Sequence, residues 1–309
     1  MKIYQAYNIC IASELLLPEL LESEGKPDVI VRFGKVNDTG ETQHDGGNTF
    51  QGEVAEVGKF FIRKGREVVI DPVLGVEEAL LRTIVLGPIL SILLRQRGLL
   101  VLHASCVDIN NKAVAFIGGS GWGKSTLAAA FYTKGYDILT DDVMSVEIVA
   151  DCPIVFPAYP QFKLFPEAVA SLGQDSQSLS PVSQNSPKLS YKFARGFQQT
   201  PLPLQRIYVL DKGSAHKITK LQPQEAFVEL VRHTRAISLV TNSEFVTSHM
   251  RLCAELIKNV SFCRFTRKAS LTDLPKLVKL VEDDLAQINA QDSHSESFPT
   301  TASNSLLSV

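Results

Sequence analysis

Apolar positions in the first 75 residues alternate with polar ones or cluster in β-branched runs. "KIYQAYNICIAS", "PDVIVRFGKV", "TFQGEVAEVG", "KFFIRKG" and "EVVIDP" are such stretches, separated by Gly, Asn and Asp turns. Period-two alternation bounded by turn residues predicts strands, so residues 1–75 form a β-rich N-terminal region. The pattern then changes. From about 75 to 97, apolar residues fall on nearly every face of a helix, which predicts a buried helix. Its most apolar part, "TIVLGPILSILL" (83–94), lies between Arg82 and Arg95 and carries a Gly-Pro kink. That part is shorter than the roughly 20 apolar residues a membrane-spanning helix needs.

The next stretch orders its elements tightly. "GLLVLHASCVDI" reads as a strand, "NNK" (110–112) as a tight turn, and "AVAFIGG" as a second strand running into a glycine-rich loop. "KSTLAAAFYTKG" is a helix closed by Gly135, and "YDILTDDV" is an apolar strand ending in two aspartates. Beyond it, "MSVEIVA" and "CPIVFPAYPQFKLF" predict short strands, and "PEAVASLG" a helix opened by Pro166. Residues 173–188 are polar and aperiodic, either a loop over a site or a surface excursion. "LQRIYVLD" and "HKITKL" read as a strand pair. Helices follow at about 223–237, 243–259 and 272–287, with "SFCRFTR" as a strand between the last two. The Ser- and Thr-rich tail, 287–309, is expected to be disordered. The expected organisation is a β-rich region over 1–75, an α/β domain over 76–286, and the tail.

Composition narrows the function classes. The chain has 309 residues, 45% hydrophobic and 21% charged, with a formal net charge of −2. This is an ordinary globular balance, and the mixed charges give no basic stripe for nucleic acid. Five cysteines (Cys10, Cys106, Cys152, Cys253, Cys263) show no C-x-x-C spacing, so neither a zinc site nor a disulfide framework is expected. The N-terminal stretch lacks the apolar core and small-residue cleavage site of a secretory signal. A cytoplasmic location without membrane or nucleic-acid partners is the expectation.

The loop "GGSGWGKST" (Gly118, Gly119, Ser120, Gly121, Trp122, Gly123, Lys124, Ser125, Thr126) fits G-x-x-x-x-G-K-[ST] without a mismatch. Glycines let the backbone N–H groups converge on phosphate oxygens, and the following helix points its positive end at the same place. Lys124 would neutralise the β- and γ-phosphates, and the Ser125 hydroxyl would ligate Mg²⁺. ATP and Mg²⁺ are the implied cofactors. Trp122 is read either as an exposed variable position or as a flat side chain near the nucleotide.

Asp141 and Asp142 end a strand directly after the loop's own helix, where ligands of α/β sheets bind. One carboxylate could hold Mg²⁺ and the other take a proton from an attacking hydroxyl. The bland alternative is a surface turn with two solvated acids. His103, in "VLHAS", would approach the pair if its strand forms a hairpin with "AVAFI", and would otherwise be a core histidine.

The sequence of "HAS", "GGSGWGKST" and "TDD" resembles the catalytic domain of HPr kinase/phosphorylase. It is most similar to the HPr-kinase-like serine kinases associated with ribosomal peptides of the lasso type. The likeness is good over about 95–165 and weaker to about 285. It implies an α/β fold shared with phosphoenolpyruvate carboxykinase, a phosphate loop in a mixed, twisted sheet. It implies Lys124 on phosphate, Ser125 and Asp142 on Mg²⁺, Asp141 as general base on an acceptor serine, and His103 beside the pair. Thr126 stands where the HPr-specific enzymes carry Glu, and their Glu-Ile-Arg-Gly signature is missing. "YPQFKLFPEAV" and "SPKLSYKF" are instead similar to the peptide-kinase branch. Lys163, Lys188, Lys192 and Arg232 are candidate contacts to phosphate or acceptor, each also readable as a surface cation.

The expected activity is an ATP-dependent serine kinase acting on a peptide or protein hydroxyl. The alternatives are a non-catalytic ATP-binding sensor and a nucleotide hydrolase or small-molecule kinase. Whether the N-terminal region binds a leader peptide, packs into the fold or mediates homo-oligomerisation stays open at this level.

Overall fold

A computed structural model describes residues 1–37, 48–237 and 243–295, except the side chains of 243, 244 and 288–295. The N-terminal region forms a sheet from β1 (Lys2–Ala6), β2 (Ile9–Ser13), β3 (Leu21–Glu22), β4 (Val29–Phe33), β5 (Thr49–Val54), β6 (Gly58–Arg63) and β7 (Glu67–Pro72). Their order is β3-β1-β2-β4-β7-β6-β5, with parallel pairing of β2 to β4 and of β4 to β7. "KIYQAYNICIAS" is a hairpin whose two turn residues, Tyr7 and Asn8, both have left-handed φ (53° and 59°). Such a turn matches the strand twist, and Asn tolerates it without glycine.

The buried helix is three segments: α1 (Glu78–Ile84), a π-helical turn over Val85–Ile89, and α2 (Leu90–Gln96). Pro88 lies inside the π turn, where a residue lacking N–H disturbs the ladder least. This helix packs on the N-terminal sheet, and the same apolar cluster takes in Val143, Phe156, Ala158 and Tyr159. The N-terminal region is therefore continuous with the packing behind the two aspartates. Tyr7, at the hairpin tip, donates its N–H to Pro157 O at 2.7 Å and its hydroxyl lies 3.4 Å from Val143 O.

The second sheet contains β8 (Leu100–Leu102), β9 (Ala104–Ile109), β10 (Lys112–Ile117), β11 (Ile138–Thr140), β12 (Met144–Val149) and β13 (Cys152–Phe156). A separate two-stranded ribbon joins β14 (Gln161–Leu164) to β15 (Leu189–Lys192). The large sheet is completed by β16 (Leu202–Lys212), β17 (Lys217–Lys220) and β18 (Ser261–Arg267). β9 and β10 form the hairpin expected around "NNK", with Asn110 and Asn111 both left-handed. β10, β16 and β18 run parallel, so their C-terminal ends share one edge.

Helices cover both faces: α3 (Lys124–Thr133) and α7 (Leu274–Ser295) on one, α5 (Pro223–His233) and α6 (Ser243–Asn259) on the other. Hence "AVAFI" is a continuous apolar run: Val114 and Phe116 face one cluster, Ala113, Ala115 and Ile117 the other. Between β14 and β15 stand α4 (Pro166–Ser171) and a 3₁₀ turn over Ser176–Ser178.

Two expectations are corrected. "LQRIYVLD" and "HKITKL" do not pair with each other; β18 lies between them and pairs with both. The last helix continues through 287 to Ser295 rather than ending there, and 296–309 lie outside the described residues. No helix of the described residues is long and apolar enough to cross a membrane. No disulfide forms; Cys106, Cys253 and Cys263 are buried and Cys152 is exposed.

Burial pushes two histidines down to about 4: His233 at the end of α5, despite nearby Glu229, and His249 on α6, beside the Arg95 charge. An unfolded histidine binds its proton near pH 6.5, so the unfolded chain gains protons first as pH falls. The thermal midpoint should therefore drop as pH is lowered from about 6.5 to 4. His249→Gln should flatten that drop, and an unchanged slope would contradict the assignment.

Candidate functional site

The glycine loop connects β10 to α3, the expected strand–loop–helix arrangement. Gly121 and Gly123 have φ of 73° and 76°, and Gly123 is the left-handed N-cap of α3. A side chain there would be strained, and its Cβ would lie 3.1 Å from Arg267 Nη2. Lys124 is buried, and its Nζ donates to Gly118 O and Gly119 O at 2.9 and 3.2 Å. Burial pushes its pKa down to about 8, although Asp141 and Asp142 act in the opposite direction. The lysine nearest the loop is thus a poorly hydrated cation.

Trp122 turns back on the loop rather than outward. A Cβ built at Gly119 would lie 2.9 Å from the indole Nε1, and one at Gly118 would lie 3.7 Å from the ring. Lys212, at the end of β16, places its Nζ 5.9 Å from the ring centroid. Trp122 therefore packs over the first two glycines of the loop, a close approach that excludes side chains there.

The two aspartates follow β11 directly. Neighbouring residues in a strand point to opposite faces, so two carboxylates can share one site only where the chain leaves the strand. Asp142 makes that departure with a left-handed φ of 80°. Asp141 is 3% exposed and accepts from Ser105 Oγ at 2.5 Å and from the Lys163 N–H at 3.3 Å. Burial raises its pKa, Asp142 adds to the rise, and hydrogen bonds from Ser105, Ser125 and Lys163 only partly offset it.

Asp142 goes the other way. Burial alone would raise its pKa, but a hydrogen bond from His103 and the charges of Lys163 and Arg235 outweigh it and hold the carboxyl far below the usual range. His103 Nε2 lies 3.4 Å from Oδ1, Lys163 Nζ lies 3.3 Å from Oδ2, and Arg235 Nη2 pairs with Oδ1. Arg235 also donates to the Asp142 carbonyl at 3.2 Å. His103 itself is pushed below its ordinary value, chiefly by burial.

Each partner arrives by a distinct piece of chain. His103 occupies the break where β8, paired with β12, gives way to β9, paired with β10 and β11. Its N–H donates to His233 O at 2.8 Å, Thr234 bridges Leu102, and the Arg235 N–H donates to Val101 O at 2.8 Å. Residues 233–235 thus form a strap along β8 that delivers Arg235. Lys163 comes from β14 and touches both aspartates, one through its backbone and one through its ammonium.

Of the residues expected from sequence, His103, Ser120, Gly121, Gly123, Lys124, Ser125, Thr126, Asp141 and Asp142 line one cleft of about 100 Å³, joined by Lys163 and Lys188. That is a space of phosphate size, well below the roughly 300–1,000 Å³ of an enclosed small-molecule pocket. Gly118, Gly119 and Trp122 are not among its lining residues. Ser125, expected to share a metal with Asp142, is hydrogen-bonded to Asp141. Lys192 and Arg232 lie elsewhere: Lys192 Nζ donates to Pro18 O at 3.2 Å, and Arg232 pairs with Glu229 at 3.2 Å.

Sequence reasoning missed Arg235, Ser105 and Arg267. Arg267 ends β18 against Gly123; burial lowers its pKa, its Nε has no hydrogen-bond partner, and no carboxylate pairs with it among the described residues. The position of "SFCRFTR" as a third parallel strand was the signal available for it, since strand ends of that kind gather at ligand sites.

No family model and no curated protein matches this chain. Among solved structures, the Hpr(Ser) kinase/phosphatase from Coxiella burnetii is similar over 61% of this chain and 98% of its own. The identity is 13% and the TM-score 0.34, too low for any assignment to rest on it.

Arg235→Ala should destabilise the fold by about 3 kcal/mol, because it strips a mostly buried carboxylate of its closest cation. Adding Asp142→Asn should restore part of that loss in chemical denaturation. Strict additivity of the two would contradict the pairing.

Proposed function

We propose that this chain is an ATP- and Mg²⁺-dependent kinase that phosphorylates a serine-type hydroxyl on a peptide or protein. The observation that carries the reading is a single cleft in which two adjacent carboxylates, Asp141 and Asp142, face Lys124 and Ser125 of the glycine loop. Asp142 is locked in its charged form, while Asp141 is held ready to bind a proton. General bases work best with a pKa moved toward the working pH, and Asp141 is displaced in that direction.

In this mechanism the acceptor oxygen attacks the γ-phosphorus of ATP, the bond from that phosphorus to the β–γ bridging oxygen breaks, and ADP leaves. The hydroxyl proton passes to Asp141. Lys124 and the loop N–H groups hold the phosphates and absorb the charge that develops on them. Arg267, a half-buried guanidinium with no carboxylate partner among the described residues, would meet a phosphate at the loop.

The donor set suits magnesium, which binds through one or two protein oxygens plus substrate phosphates. Among the described residues no cluster of three or more His, Cys, Asp or Glu gathers to cage a metal. Ser125 and Asp142 would hold the ion, which supplies charge neutralisation at the phosphates. At Asp142 it would compete with the two longest contacts, Lys163 at 3.3 Å and His103 at 3.4 Å. Serine as acceptor follows the sequence resemblance.

Asp141→Asn should abolish transfer while leaving ATP affinity within about twofold, because the residue acts on the proton and not on the nucleotide. Wild-type transfer by that variant would remove Asp141 as the base. Steady phosphate release from ATP with no protein acceptor would replace the kinase by a hydrolase. The acid limb of kcat should lie above the range of an ordinary aspartate, since protonating Asp141 blocks it. Arg267→Ala should weaken ATP binding about tenfold or more, the scale of one charge-assisted hydrogen bond, and unchanged affinity would exclude the phosphate contact.

A further inference from the structure

A second cleft, of about 400 Å³, adjoins the phosphate cleft, and Lys163 lines both. Its walls come from three regions: Glu19 from the N-terminal region, Arg82 from α1, and Gln161, Ser180 and Lys192 from the β14–β15 ribbon and its loop. Two of those side chains are unusually placed. Gln161 is 5% exposed and donates to Ser190 Oγ at 2.6 Å, yet its Oε1 is buried without a partner. Glu19 pairs one oxygen with Arg82 at 3.1 Å, and its Oε2 is likewise buried and unpartnered.

Buried polar groups are normally satisfied, so two orphaned oxygens on residues lining one cleft call for an explanation. Both are oxygens that can only accept (Glu19 as carboxylate and the Gln161 carbonyl), so the occupant must bring N–H or O–H donors.

Charge narrows the occupant further. Arg82 is neutralised by Glu19 and by Glu78 at 3.0 Å, and Lys163 by Asp142. Lys192 pairs with no carboxylate among the described residues; its ammonium reaches the Pro18 carbonyl. The cleft therefore offers acceptors at its base and one uncompensated cation at its rim. An extended peptide presents N–H donors at regular intervals and tolerates an acidic neighbour beside Lys192.

We infer that this second cleft is the acceptor site, holding a short extended peptide segment, neutral to acidic, whose serine hydroxyl reaches Asp141 past Lys163. The inference rests on the kinase reading for its chemistry, while the binding it requires stands apart from transfer. The Ser- and Gln-rich stretch 173–188, through Ser178–Val182, then forms one wall of the acceptor site.

The test is an array of serine-centred peptides with acidic, neutral or basic flanks. It is probed with the full chain in the presence of Mg²⁺ and a non-hydrolysable ATP analogue. Ser180 is exposed, so Ser180→Trp fills the cleft with little risk to folding. Wild type should retain acidic and neutral peptides, Ser180→Trp should bind them at least about tenfold more weakly, and both should bind the analogue alike. Lys192→Glu should shift the preference toward basic flanks, which a merely structural role would not do. Retention of no peptide by wild type, or equal retention by Ser180→Trp, would overturn the inference. The same array with ATP separates the two claims. Peptides bound in the cleft yet never phosphorylated would sink the kinase reading and leave the peptide site. Phosphorylation equal in wild type and Ser180→Trp would sink the cleft and leave the kinase.

Discussion

The mostly buried carboxylate of Asp142 is the point on which this molecule turns. A lone carboxylate removed from water is costly and protonates instead. Here Arg235, Lys163 and His103 keep it charged, and each is brought by a different part of the chain. The strap after α5, the ribbon strand β14 and the break between β8 and β9 must all be in place for the charge to be tolerated. The same arrangement sets Asp141. With the neighbouring charge fixed, a second charge at nearly complete burial is disfavoured, and Asp141 is left able to accept a proton. Two adjacent residues of one type thus acquire opposite tendencies from their surroundings.

The fold supplies the rest by simple means. Three parallel strands end on one edge, and from that edge come the glycine loop, Lys212 near Trp122, and Arg267 against Gly123. Trp122, ambiguous in the sequence, covers the first glycines and fixes the loop from behind. The N-terminal sheet is packed into the back of the site, with Tyr7 on the Pro157 and Val143 backbone and Glu19 at the second cleft. Its core is shared with the residues around the aspartates, so perturbing that sheet perturbs the site.

Much of this was legible in the sequence, and the reasons are physical. The loop motif is local, and its strand and helix neighbours carry clear patterns. The hairpin around "NNK" is announced by two asparagines, whereas His103 meets Asp142 because β9 pairs with β11 and β8 with β12. What periodicity cannot show is pairing at long range. Arg235 reaches Asp142 across 93 positions through an isolated bridge to β8, which leaves no repeating signature. Arg232, three residues earlier and a candidate contact to phosphate or acceptor, faces solvent beside Glu229. Lys163 was one of four candidate cations, and nothing in its surroundings announced that both its backbone and its ammonium serve the aspartates. The partner of "LQRIYVLD" was misread for the same reason, because β18 lies some fifty residues further on.

The charge split between the two aspartates can be measured directly by following their carboxyl carbons by NMR across a pH titration, with Asp141→Asn and Asp142→Asn used for assignment. Asp142 should remain ionised down to the acid-unfolding range, and Asp141 should titrate above the ordinary aspartate value of about 3.9. Ordinary titration of both carboxyls, or a raised value at Asp142 with a lowered one at Asp141, would contradict the account.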